Sequence, residues 1–262
     1  MTQARKPVTP VPASPHPVEA TPLEPRWWGG HLREVRWQAE LARLLADPVW
    51  KGVDQPRGDG APVLLIPGFL AGDQSLSFLS TFLRRIGHTP RRAGISFNVR
   101  CSDTALDRLE QVLQHAHLRS GRQVALVGHS RGGHFAKALA TRHPGLVSQV
   151  ITMGSGLDDP FSISEPTRLA VAGVRELVHR RNPELAAKGC FTTACACRYS
   201  NDFRSAFPAS VPLTSIYSKG DGVVQWQACV VPYARCVEVR GSHVGLAFNR
   251  HAYREIARTL SA

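Results

Sequence analysis

The sequence predicts an α/β protein: a mostly parallel central sheet flanked by helices, with one cap-like (lid) insertion. Three observations carry that prediction. Short apolar runs bounded by turn residues, at 63–66, 124–127 and 147–153, alternate with longer stretches of helical period. Such alternation implies parallel strands joined by crossover helices. One run leads directly into Gly128-His129-Ser130-Arg131-Gly132, where a helical pattern begins. The third observation is size: 262 residues, 43% hydrophobic and 20% charged, suit one large α/β domain.

Composition removes several classes. No run of about 20 apolar residues offers a membrane span. Six cysteines are too few for a disulfide-built mini-protein. The net charge of +12 raises the question of nucleic acid. The arginines are scattered, however, with their densest knot at Arg84, Arg85, Arg91 and Arg92, and neither an aromatic-interleaved basic stripe nor zinc-finger spacing accompanies them. Nucleic acid is therefore not an expected partner.

Residues 1–26 hold seven of the 19 prolines and read as a disordered tail ahead of a domain spanning 27–262. No apolar stretch follows Arg5 and Lys6, so no secretory leader is expected and the expected location is cytoplasmic. Trp27, Trp28, Leu32, Val35, Leu41, Leu44 and Leu45 recur at roughly helical spacing, predicting a helix over about 31–46 that stops before Pro48. Its tryptophans and arginines allow a weak membrane-surface contact, second to ordinary packing on the domain.

A strand at 63–66 ends at Pro67-Gly68, a helix follows over 73–85, and a strand is expected near 93–97. Asp103 is read as the cap of a helix that carries Leu106, Leu109, Val112, Leu113 and Ala116 and stops at Gly121. The strand at 124–127 and a helix over 131–142 enclose the serine motif. Strands follow at 147–153, 213–218 and 236–239, and a last helix covers 251–260. Residues 155–208 interrupt the rhythm with one helical pattern, 167–181, and a patch of Cys190, Cys195 and Cys197. A connection that long in a compact domain suits a cap or lid over a site.

The serine motif fits G-x-S-x-G in a strand–turn–helix setting, which lifts a serine hydroxyl above the sheet where a base and a carbonyl can reach it. A weak alcohol nucleophile needs a base, and the base an orienting acid. Asp221 lies between glycines after one late strand, and His243 follows the next, in the order serine, acid, histidine. Ser130, Asp221 and His243 are thus the expected catalytic residues. Asp158 and Asp159, one strand earlier, are the rival acids; His134 and His143 follow no late strand. The expected oxyanion donors are the backbone N–H groups of Phe69 and Arg131. Phe69, Leu70, His129 and Leu177 are the expected substrate-facing residues.

With these residues in view, the chain from about 62 to 260 resembles the α/β-hydrolase superfamily, and in particular its bacterial lipase- and esterase-like members. The matching segments are Pro67-Gly68-Phe69, the stretch 128–133, Tyr217–Val224 (YSKGDGVV) and Gly241–Leu246 (GSHVGL). The resemblance implies a serine hydrolase (esterase or lipase) acting on small-molecule or lipid esters, with neither metal nor organic cofactor. Acyl transfer or thioester hydrolysis through the same residues, and a non-catalytic binding module on the same fold, are the alternatives. Many relatives carry histidine where Pro67 stands, which leaves the bracing of the oxyanion loop open. Relatives also carry cysteines near the 190–197 patch and Cys229, so a disulfide between those places and reduced thiols are both open readings.

Overall fold

The structure is a computed structural model that describes residues 32–261. The Pro-rich tail 1–26, Trp27, Trp28 and His31 lie outside the described residues. Six strands form one parallel sheet: β1 (Pro62–Ile66), β2 (Thr89–Arg92), β3 (Val124–His129), β4 (Val147–Met153), β5 (Leu213–Tyr217) and β6 (Arg235–Glu238), in the order β2-β1-β3-β4-β5-β6. Around it lie α1 (Trp37–Ala46), α2 (Ser77–Arg85), α3 (Ser102–Ser120), α4 (Arg131–Arg142), α5 (Glu165–Arg181), α6 (Pro183–Ala187), α7 (Arg198–Arg204) and α8 (Arg250–Leu260).

Alternate residues of a strand point to opposite faces, and two cores result. Val63, Leu65, Val127, Ile151 and Ile216 pack with Leu44 of α1, Leu79 and Phe82 of α2 and Tyr253 and Ile256 of α8. Leu64, Ile66, Leu126 and Val150 pack on the other face with Leu106 and Leu109 of α3 and Phe135 and Leu139 of α4. Strand β3 is buried throughout, as a strand covered on both faces must be. Among the described residues no helix is long and apolar enough to cross a membrane.

Three local expectations are corrected. The second strand is Thr89–Arg92, not 93–97. It is an edge strand, where a proline such as Pro90 is tolerated, whereas 93–97 forms a loop whose Ala93 and Gly94 N–H groups donate to the Asp73 carboxylate. Asp103 does not cap α3; it lies in that helix's first turn, and its carboxylate accepts the N–H groups of Arg198 and Tyr199 at the start of α7. The first helix proper begins at Trp37, and residues 32–36 form a tighter 3₁₀ segment before it.

Candidate active site

Ser130 sits between β3 and α4 with φ +53 and ψ −125. That backbone is sparsely populated for a residue with a side chain and costs on the order of 1–3 kcal/mol. Its surroundings hold it there. The Ser130 N–H donates to Met153 O (2.8 Å), and the Ser130 carbonyl accepts from Gly133 N–H (2.9 Å) and the Ser155 hydroxyl (2.8 Å). The turn is also tight: a Cβ on Gly132 would stand 2.0 Å from the carbonyl oxygen of Ile66. The motif's second glycine is thus demanded by the loop leaving β1.

Asp221 and His243 emerge after β5 and β6 and meet, with His243 Nδ1 2.7 Å from Asp221 Oδ2 and both side chains buried. The other oxygen, Oδ1, accepts the N–H groups of Val223 and Val224, each at 2.8 Å. One carboxylate oxygen is therefore fixed by its own turn and the other faces the imidazole. Burial disfavours the charged imidazole of His243; the Asp221 charge, the hydrogen bond to it and the Glu34 charge outweigh burial, so its pKa is raised. Asp158 and Asp159 border the same cavity as Ser130, and Asp159 Oδ1 accepts the Phe161 N–H at 2.8 Å in a local turn. Neither makes the contact to His243 that Asp221 makes.

His129 is buried behind the serine, where its Nε2 meets the His243 carbonyl at 2.9 Å. Burial and the neighbouring His243 lower its pKa to about 4, so the neutral ring donates to that carbonyl. The loop after β1 packs against Ser130 closely enough that a Cβ on Gly68 would stand 3.0 Å from Ser130 Cβ. Asn98 braces this loop: its Nδ2 donates to Pro67 O (2.9 Å), and its carbonyl accepts the Leu70 N–H (3.3 Å). The Arg131 guanidinium ties the same residue to the elbow, donating to Asn98 O and Oδ1 (3.2 Å each), to Arg100 O (2.8 Å) and to the Ser102 hydroxyl (3.0 Å). Burial lowers the Arg131 pKa to about 10. Nothing local in the sequence marks Asn98, because its role is read only across three loops.

A cavity of about 410 Å³ opens over Ser130, Arg131 and Phe69. Most of the other walls come from the long insertion, through Pro160, Phe161, Val171, Phe191, Tyr199 and Phe203, and the rest from Ser102, His134, Val223 and Val224. Three expected substrate-facing residues do not line it. Leu70 turns outward and is 42% exposed, His129 packs behind the serine, and Leu177 is 51% exposed on the outer side of α5. The helical stripe is thus split, with Val171 facing the cavity and Leu169 and Leu177 facing solvent.

The cysteines also differ from one expected pairing. All six are free; Cys101 Sγ lies 3.1 Å from Cys190 Sγ, and Cys195 Sγ 2.9 Å from Cys197 Sγ. Cys229 belongs to a separate cluster with Ile163 and Val224, away from the 190–197 patch. Among the described residues, no group of three or more His, Cys, Asp or Glu is arranged to hold a metal ion.

A parallel six-stranded sheet with a strained serine elbow and a buried Asp–His pair at its strand ends defines the α/β-hydrolase class of architecture. The family model described as the alpha/beta hydrolase fold matches residues 61–180, and the sheet order and crossover helices of this chain have that fold. Solved structures share the fold. A soluble variant of monoglyceride lipase from Saccharomyces cerevisiae, in complex with a substrate analog, aligns with TM-score 0.56 and 14% identity over 79% of this chain and 89% of its own. A monoacylglycerol lipase from Paleococcus ferrophilus aligns with TM-score 0.55 and 13% identity over 79% and 96%. A structure from the metagenome-derived lipolytic enzymes LipS and LipT aligns with TM-score 0.57 and 15% identity over 79% and 94%. No curated protein matches the chain in sequence.

Proposed function

We propose that the chain is a serine hydrolase that cleaves carboxylic esters through an acyl-enzyme intermediate. The observation that carries this reading is the placement of Ser130 on a strained elbow under a largely apolar cavity, with the Asp221–His243 pair at 2.7 Å emerging at the same end of the sheet. The lipases and lipolytic enzymes that share the fold support it.

In this reading Ser130 Oγ attacks the ester carbonyl as His243 Nε2 takes its proton. Asp221 keeps the Nδ1–H tautomer and stabilises the imidazolium. The backbone N–H groups of Phe69 and Arg131 receive the oxyanion, each worth roughly 10²–10³ in rate. His243 then protonates the departing alcohol. Water, deprotonated by the same histidine, attacks the acyl-enzyme and regenerates Ser130. The apolar walls receive the acyl part of the substrate.

A fluorophosphonate probe and a series of p-nitrophenyl esters test the reading. The probe should label Ser130, and Ser130→Ala should fold and lose turnover by several orders of magnitude. Asp221→Asn should cost on the order of 10⁴ in kcat by permitting the wrong tautomer, with Asp158→Asn and Asp159→Asn mild beside it. Full activity in Ser130→Ala ends the proposal, and a reversed ranking of the aspartates moves the acid.

A further inference from the structure

We propose that Glu34 and Glu40 are positioning residues: a carboxylate clasp from a segment 188 or more residues upstream of the groups it binds, which holds the acid loop and the histidine loop in register. The inference rests on the reading of His243 as the catalytic base. Glu34 Oε1 accepts two N–H groups, from Gly222 and His243, each at 3.0 Å, and Oε2 accepts the Val244 N–H at 2.8 Å. Gly222 follows Asp221 directly. One carboxylate therefore joins the main chain of the acid loop to that of the base loop, at the residues where a relative slip would open the Asp221–His243 contact.

Glu40 completes the clasp one step along the same loop. It is buried; Oε1 accepts the Ser242 N–H at 2.8 Å and Oε2 the Ser242 hydroxyl at 2.7 Å. The Ser242 hydroxyl oxygen in turn accepts the Gly245 N–H at 3.1 Å. The loop is moulded around this carboxylate, because a Cβ on Gly245 would lie 1.3 Å from Glu40 Oε2.

The chemistry of the loop explains why carboxylates are suited to it. A 3₁₀ helix runs from Val244 to Phe248. The first N–H groups of any helix lack partners within it and carry partial positive charge. Glu34 accepts the first of them, from Val244, and Glu40 accepts the Ser242 N–H just ahead of the helix, with charge-assisted bonds stronger than a neutral acceptor would provide. The clasp is itself anchored. The Trp37 ring meets Phe248 with centroids 5.8 Å apart, Leu44 is buried in the core, and Asp47 pairs with Arg250 and Arg254 of α8.

The groups facing His243 are Asp221 at Nδ1, Glu34 at its main-chain N–H, Glu40 through Ser242, and His129 at its carbonyl. His129 and the nearby His134 are held neutral by burial. Glu34 thus supplies negative charge near the imidazolium besides that of Asp221. Removing it disfavours the charged ring, so the base loses its proton at lower pH and the acid limb of kcat/KM moves down.

The test measures kcat, KM and kcat/KM against pH on a p-nitrophenyl ester for wild type, Glu34→Ala, Glu34→Gln, Glu40→Gln and Ser130→Ala. Fluorophosphonate labelling and melting temperature are recorded for each. Glu34→Ala should lose kcat by roughly 10- to 100-fold, the cost of a small misplacement of a reacting group, with KM nearly unchanged. Glu34→Gln keeps the shape, should lose less, and should still move the acid limb to lower pH. Glu40→Gln should lower kcat with a smaller movement of the limb. If wild type fails to label and turn over, or Ser130→Ala stays active, the catalytic reading fails. If those controls behave and both Glu34 variants keep wild-type kcat and acid limb, whatever their melting temperature, the clasp is overturned by itself.

Discussion

The ring of His129 holds the main-chain carbonyl of His243 at 2.9 Å across 114 residues of sequence. The residue before Ser130 therefore supports the residue proposed as its base. Gly154, just past β4, packs against the side chains of the Asp221–His243 pair with φ +57. A Cβ there would stand 2.9 Å from Leu246 Cδ1, 3.0 Å from Asp221 Oδ2 and 3.1 Å from His243 Nδ1. A ring thus holds the His243 main chain, and a bare glycine leaves room for the Asp221–His243 contact.

Gly154→Ala should fail on both counts. The left-handed backbone costs a residue with a Cβ about 1–2 kcal/mol, and the methyl presses on both members of the pair. Melting should fall by several degrees, and ester turnover should fall at least tenfold by the misplacement argument. Gly173, inside α5 with nothing within 4 Å of a built Cβ, provides the contrast. There alanine should raise stability by up to about 1 kcal/mol through helix propensity. Calorimetry with a turnover assay checks the pair, and wild-type turnover in Gly154→Ala contradicts the account.

Much of this arrangement is legible in the sequence, for identifiable reasons. Strand β4 and helix α4 begin and end where their apolar patterns and the His143-Pro144-Gly145 stop predict. The elbow is legible because strand, serine, glycine and helix are contiguous. Asp221 and His243 are legible because each follows a strand that hydrophobicity marks. Strand β2 escapes because Thr89-Pro90-Arg91-Arg92 has no apolar alternation; an edge strand needs only one partner, and its two arginines are exposed. Helix α7 escapes because it is seven residues long and its capping carboxylate, Asp103, comes from another helix. Glu34, Glu40 and Asn98 escape because a side chain that serves main-chain groups on distant loops leaves no periodic trace.

Acid should unfold the protein through a second carboxylate system. Arg142, at the end of α4, has a side chain only 3% exposed and pairs with Glu110 of α3 at 2.8 Å and Asp202 of α7 at 2.6 Å. Burial raises the Glu110 pKa, but bonds and charges from Arg142 and His143 outweigh it and the net shift is downward. Asp47 is lowered in the same sense: burial is outweighed by the Val49 N–H, Arg254 and Arg250. A carboxylate with a depressed folded pKa contributes stability that is complete above its unfolded pKa and lost as pH falls through the folded value. Melting temperature should therefore drop below about pH 4. Arg142→Ala should cost about 3–5 kcal/mol at neutral pH, as breaking a buried pair does, and flatten that acid slope. Parallel melting curves against pH for wild type and variant would exclude this network as the source.

The last prediction concerns the walls supplied by the insertion. In the proposed reading the acyl part of the substrate rests against Val171 and Phe191, which line the cavity over Ser130. Leu177 belongs to the same helix as Val171 and is just as apolar, but it is 51% exposed and lines no part of that cavity. Position, not composition, should decide the effect of each. An apolar contact the size of a methylene changes discrimination between substrates by about 1–3 kcal/mol. Val171→Ser and Phe191→Ser should therefore shift the ratio of kcat/KM between p-nitrophenyl octanoate and acetate by roughly tenfold or more. Leu177→Ser should leave the ratio within about twofold, since surface changes away from a packed contact do little. The ratio, measured beside melting temperature, separates a lost wall from a loosened fold. A larger shift from Leu177→Ser than from Val171→Ser would mean that the acyl part lies against the outer face of α5, and the cavity over Ser130 would lose its assigned role.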